Sequence, residues 1–427
     1  MADTAQPDGA ADDKPQSFAA MRHPGARAYL IGGALAMMAD SIEHVISYWM
    51  IYEKFHSPML GGFAILSHWL PFMLFSVWAG ALADRFDPRR IIQWGMVMFM
   101  LVSFGWGVLF LTDTLEMWHA AVLLIIHGMA GVIWSPAGQL LVHDIVGGGQ
   151  LQSAIRTQAT TRTLGLLLGP AIGGGLMIWL GPTYGIFINI LIYLPLAIWL
   201  WKAPYGPAFR KEKRPPPSKL GGFADIVATL AAIKDIPVVI SMIAIAGVSS
   251  FVVGNAYQGQ MPAFAEALGY GDAGLFYSLL FTANAAGAIT AGVVLETGGF
   301  LAARPKPVFI MVLLWSSAMI GFAATESYPM AFALLFMAGF LNLAFSSMSR
   351  ALVQINAPPA IRGRVIGLYN MSDLGLRSFS GLTVGFGGSL IGIHWSLGLS
   401  ATLLLVIVVA MMLVMLRKIP DAGTAGG

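Results

Sequence analysis

Asp40, Glu43 and His44 fall at i, i+3 and i+4 within an otherwise apolar stretch, and on a helix that spacing sets all three on one face. Ionisable side chains in such a stretch are costly unless they face a cavity or a partner. A carboxylate desolvated there holds its proton until water or a neighbouring cation reaches it, which is reversible proton binding. The alternative is a polar cluster satisfied by neighbouring helices. Asp40 and His44 on one turn, with His127 or His68 facing them, also offer hard and borderline ligands to a divalent metal without any thiolate. Arg162 has no partner near it in sequence and must find a carboxylate on another helix or face water, with Asp40 and Glu43 as candidates. Asp373 and Arg377, four apart, can pair along one helix face.

The elements that carry these residues are membrane spans. Hydrophobic residues make up 57% of the 427 and charged residues 11%, and the mean hydropathy is +0.74, more apolar surface than a soluble core of this length can hide. Apolar stretches of about 18–25 residues fall near 26–51, 60–83, 91–111, 118–145, 154–180, 183–201, 237–265, 273–296, 307–324, 329–355, 363–391 and 394–416, so the expected architecture is all-α with twelve transmembrane helices. The absence of cysteine excludes disulfides, thiolate metal sites and cysteine nucleophiles. A net charge of +3 does not suggest a nucleic-acid partner. With no phosphate loop or nucleophile motif, nothing supports an enzyme or a bound cofactor.

Charge placement orients the spans. Residues Gly80 to Arg90 end the second span with Asp84, Arg85, Asp87, Arg89 and Arg90, and the even loops hold most other basic residues, among them Lys202, Arg304, Arg362 and Arg364, whereas Lys54 is the basic residue found in the short odd loops. Arginine and lysine mark the cytoplasmic side, so both termini are expected inside. The domains expected are a disordered tail at 1–20, a six-helix bundle at 21–202, a cytoplasmic linker at 203–236, a second bundle at 237–418 and a tail at 419–427. The linker is broken by Pro215, Pro216 and Pro217. After them Phe223, Ile226, Val227, Leu230 and Ile233 recur at helical spacing with Asp225 elsewhere, suggesting an amphipathic helix on the inner leaflet. The halves echo each other: Gly80…Asp84 ends the second span and Gly292…Glu296 the eighth, while Gly165, Gly169, Gly173 and Gly174 in the fifth match Gly381, Gly385, Gly387 and Gly388 in the eleventh. Two such bundles are what a rocking transporter needs.

Gly80-Ala-Leu-Ala-Asp84-Arg85-Phe-Asp87-Pro-Arg89-Arg90 resembles the signature loop between helices 2 and 3 of the major facilitator superfamily, with Asp87 where that pattern has glycine. Gly165-Leu-Leu-Leu-Gly169-Pro170-Ala-Ile-Gly173-Gly174 is similar to the fifth-helix motif of that superfamily's exporters and antiporters; its small residues allow close packing and Pro170 invites a kink. With Ser57-Pro58, Thr161-Arg162 and Arg362-Gly-Arg364-Val, the chain resembles the drug:proton antiporter branch that includes the enterobactin exporter. The resemblance implies a monomeric transporter of a bacterial inner membrane that exports a small amphipathic molecule, drug- or siderophore-like, against protons by alternating access. It also implies a cytoplasmic latch in which Asp84 meets the start of the eleventh helix near Arg362 and Arg364 and Arg85 meets Asp144, and it places His127, four before Gly131, where related antiporters carry an arginine. A divalent-metal exporter using Asp40 and His44 and a lysolipid flippase of the same fold are the rival functions.

Overall fold

The structure, a computed structural model, describes residues 18–55, 58–209, 222–269, 275–298, 303–380, 384 and 387–415. The linker prolines, Gly381, Gly385, Ser57 and the outermost tails lie outside them. Among the described residues there is no strand, and ten helices are long and apolar enough to cross a membrane. A backbone in hydrocarbon must satisfy its polar groups internally, which helices do. The first four spans are Pro24–Phe55, Pro58–Arg85, Pro88–Leu111 and Met117–Val146. The fifth and sixth span Leu151–Lys202, and the chain turns back between them at Gly181 (φ 76°, ψ 163°). The seventh, eighth, ninth, tenth and twelfth are Pro237–Val252, Leu275–Gly298, Pro305–Ala324, Tyr328–Asn356 and Ile393–Met415.

The eleventh departs from the continuous helix expected. Among its described residues, Arg362–Asn370 is followed by a π turn at Met371–Gly375 and then by helix at Arg377–Ser380 and Gly387–Ile391. A π turn inserts a residue into the helical ladder, and such turns gather at functional positions. Here it carries Asp373. Helical dihedrals run through Pro170, and the chain leaves them at Gly181, between the fifth and sixth spans, where a positive φ suits glycine.

Glycines set how the spans approach. Gly128 of the fourth lies on the Ser67 carbonyl of the second, and Gly339 of the tenth on the Asn284 carbonyl of the eighth, so the same contact recurs in both halves. Gly165, Gly169 and Gly173 are buried at a spacing of four against Ala34, Met38, Ser41 and Ile42 of the first span, with a Cβ on Gly165 only 2.6 Å from the Ala34 carbonyl oxygen. Gly174 faces open space.

At the end away from the arginine-rich loops, Lys54 pairs with Asp113 at 2.7 Å, and that hydrogen bond and charge hold the exposed Asp113 carboxyl below its ordinary range. At the basic end, the tail boundary expected at residue 20 falls inside a short helix, Ala19–Arg22; Ala20 is fully buried and its N–H donates to Ser153 Oγ at 3.2 Å. The linker helix Gly222–Ile233 turns its acid inward and leaves part of its apolar face exposed. Asp225, Thr229 and Ile233 are buried, while Val227 and Leu230 are exposed, because Asp225 is drawn inward to Arg364 at 3.5 Å.

Candidate functional site

The first span brings Asp40 and Glu43 onto the same imidazole of the fourth. His127 Nδ1 donates to Glu43 Oε1 at 2.7 Å, and its Nε2 lies 2.8 Å from Asp40 Oδ1, a close approach that lacks the alignment of a hydrogen bond. All three are almost fully buried. The other Glu43 oxygen accepts from Ser103 Oγ on the third span, and Asn189 of the sixth donates to the Ala39 carbonyl at 2.9 Å and to Ser103 Oγ at 3.4 Å. His44 turns back on its own helix, donating from Nδ1 to the Asp40 carbonyl at 2.7 Å, and its ring stands edge-on to those of His68 and His127 at 4.9 and 4.6 Å. Buried charges are tolerated when paired and hydrogen-bonded, and this cluster supplies both.

Asp40 and His68 also line a cavity of about 90 Å³ between the bundles, together with Trp134, Gln139, Arg162 and Arg350. That is smaller than the roughly 300–1,000 Å³ of pockets that take drug-sized ligands. Arg162 faces this space, but the two carboxylates expected to neutralise it are held by His127. Across the cavity Asp373 pairs with Arg377 at 3.0 Å, as its spacing suggested, and with Arg350 of the tenth span at 3.1 Å. Trp134 lines the cavity, whereas Trp49 points out of the bundle and Tyr257 is packed away.

Beneath the cavity the basic end is closed by two matching contacts. Gly80 lies directly on Gly363, and Asp84 accepts from the N–H groups of Gly363 at 2.7 Å and Arg364 at 3.0 Å, at the amino terminus of Arg362–Asn370. A carboxylate is favoured there because the first N–H groups of a helix lack internal partners and carry partial positive charge. The pseudo-symmetric contact joins the fifth and eighth spans: Gly292 lies on Thr160, Ser153 Oγ donates to Glu296, and Arg156 donates to the Leu295 carbonyl at 2.6 Å. Between them, Gln354 donates to Gln139 at 2.8 Å, Gln139 to Asn370 at 3.2 Å and Asn370 to Ser135 at 3.1 Å, stitching the fourth span to the tenth and eleventh.

Several expected gate residues sit elsewhere. The Arg85 guanidinium lies 5.6 Å from the Phe86 ring rather than on Asp144. Arg362 donates to His143, the neighbour of Asp144, at 2.9 Å. Arg89 pairs with Asp87 at 2.6 Å, donates to the Ala203 carbonyl and covers Phe209, and Arg90 covers Trp201, so these two tie the third span to the end of the sixth within one bundle. Asp87, in place of glycine, caps the third span by accepting from the Arg89 N–H at 3.0 Å, with Pro88 at the first helical position.

The profile of the Major Facilitator Superfamily matches residues 29–374. Among curated relatives, the staphyloferrin A transporter of Staphylococcus aureus (strain NCTC 8325 / PS 47) is 24% identical over 180 residues, 40% of this chain and 45% of that protein. The putative multidrug resistance protein MdtD of Cronobacter sakazakii (strain ATCC BAA-894) is 31% identical over 142 residues, 33% of this chain and 28% of that protein. The matched stretches thus span less than half of either relative. Among solved structures, a variant of the E. coli fucose:proton symporter FucP aligns with a TM-score of 0.71 at 11% identity, covering 95% of this chain and 100% of that one. The human organic anion transporter MFSD10 gives 0.69 at 13%, covering 92% and 99%. With the family profile covering most of the chain and the glycine contacts repeated in both halves, this multi-pass membrane protein belongs to the major facilitator superfamily, a family of transporters and not of enzymes.

Proposed function

We propose that the protein exports a small amphipathic organic molecule, drug- or siderophore-like, by alternating access coupled to proton entry. The bundles at 21–202 and 237–418 rock about the central cavity, working as a monomer in a bacterial inner membrane with the basic end and both termini cytoplasmic. The observation that carries this reading is a cavity walled by buried Asp40, with Glu43 behind it, above a closed basic end. Carboxylates in a membrane cavity need a cation whenever the cavity changes side, and this couples cation movement to cargo movement. The glycine stripe of the fifth span presses that helix onto the one bearing Asp40, Glu43 and His44, and its resemblance to the motif of exporters and antiporters supports the exporter direction. The relatives named for a siderophore and for multidrug resistance point to the same cargo class.

The test is uptake of a panel of drugs and siderophores into inside-out vesicles carrying an imposed proton gradient. Gradient-dependent uptake by the native chain, lost in Asp40→Asn while the protein stays folded, is the expected result. Full gradient-dependent transport in Asp40→Asn would sink the assignment of coupling to this cluster.

A further inference from the structure

Three imidazoles from three different spans meet at one point. A ring nitrogen of each of His44, His68 and His127 lies within 4.8 Å of the others, and the ring centroids are 4.6–5.8 Å apart. In a tetrahedral site with metal–nitrogen bonds of about 2.0–2.1 Å, ligand nitrogens stand about 3.3 Å apart, so small side-chain rotations close the set. Asp40 supplies an oxygen at the same place, 2.8 Å from His127 Nε2.

The groups behind these ligands are those that orient a metal-binding histidine. Such imidazoles donate their second N–H to a carboxylate or a backbone carbonyl. His127 donates from Nδ1 to Glu43, and His44 donates from Nδ1 to the Asp40 carbonyl, so in each the remaining lone pair is on Nε2. Glu43 is in turn fixed by Ser103. His68 Nδ1 is buried without a hydrogen-bond partner among the described residues, an unfavourable condition that a ligand would relieve, while His127 Nε2 has Asp40 Oδ1 beside it at 2.8 Å. Charge balance agrees: two carboxylates and three neutral imidazoles around a dication form a neutral unit, the form that a membrane interior tolerates.

We propose that His44, His68, His127 and Asp40 bind one divalent transition-metal ion of the zinc type at the wall of the transport cavity. Imidazole nitrogens with one carboxylate favour such ions over calcium or magnesium, which take oxygen ligands. The inference rests on the transport reading only in that the cavity must open to admit the ion.

The test uses the full chain, purified without a polyhistidine tag, and Co²⁺ alone as the probe. One equivalent should give the intense visible bands of tetrahedral cobalt, bleached by added Zn²⁺. His44→Gln and His68→Gln should each weaken binding by about 100-fold or more, and Glu43→Gln by about 10- to 100-fold. X-ray absorption at the zinc edge of the native protein needs no variant, and it should show nitrogen-rich coordination at about 2.0–2.1 Å. An all-oxygen shell, or Co²⁺ affinity unchanged in both histidine variants, would overturn the proposal. Binding is read without any gradient, so a chain that binds Co²⁺ but exports no organic probe contradicts the transport reading alone. One that exports but binds no Co²⁺ contradicts this inference alone.

Discussion

Replacing Asp84 by alanine should open the basic end. Its two carboxylate oxygens accept from the Gly363 and Arg364 N–H groups at 2.7 and 3.0 Å, and both contacts exist only while the second and eleventh spans touch. Hydrogen bonds to a charged group contribute about 1.5–3 kcal/mol each. Water reaching the freed N–H groups returns part of that, leaving a net loss of about 2–4 kcal/mol for the closed state, or a population shift of about 30- to 700-fold toward the open one. Asp84→Asn keeps a neutral acceptor, and because charge-assisted bonds are roughly twice as strong as neutral ones, it should shift the balance by about half as much in free energy. The chain has no cysteine, so spin labels placed through Gln150→Cys and Asp235→Cys, both at exposed positions near the basic end, report the spacing of the bundles by pulsed dipolar spectroscopy. The reasoning predicts a longer distance in Asp84→Ala and an intermediate distribution in Asp84→Asn. An unchanged distribution in Asp84→Ala would refute it.

His127→Ala leaves Asp40 and Glu43 buried without their shared partner and should destabilise the protein by about 3–5 kcal/mol. His127→Gln should restore part of that, read by thermal unfolding in detergent. Gly169→Val drives a side chain into Ser41 and the Met38 carbonyl, costing about 1–3 kcal/mol. Gly174→Ala, which meets nothing within 4 Å, should leave stability unchanged or raise it by up to about 1 kcal/mol; equal losses in the two glycine variants would contradict the packing assigned to the stripe. Asp225→Asn removes the charge from a 3.5 Å pair to Arg364, so it should lengthen the bundle spacing less than Asp84→Ala does, in the same spin-label experiment.

The sequence made the spans legible through their length, and marked Gly80 and Asp84 through a motif, although their contacts, with Gly363 and Arg364, lie 279 and 280 positions from Asp84. The helix-one cluster was legible because i, i+3 and i+4 spacing needs no tertiary information. What was hidden is the choice of partners across helices. Many spans are apolar on most sides and give little periodic signal for which face turns inward, so nothing along the chain joined His127 to both Asp40 and Glu43. Ser103 and Asn189 looked like ordinary small polar residues of a span. Arg350 was missed because it sits near the basic end of the tenth span, where an arginine satisfies the orientation rule without further explanation, yet it reaches Asp373. In the linker helix the pattern marked an apolar face, but nothing in it showed that Asp225 would face Arg364.

The coupled export that the account centres on is tested most directly by recording proton movement itself. Inside-out proteoliposomes holding an acid interior and a trapped pH indicator are given a transported probe from outside. The account predicts that adding the probe releases protons from the interior in the native chain, and that Asp40→Asn abolishes the release. Uptake of the probe with no accompanying pH change in the native chain would contradict it.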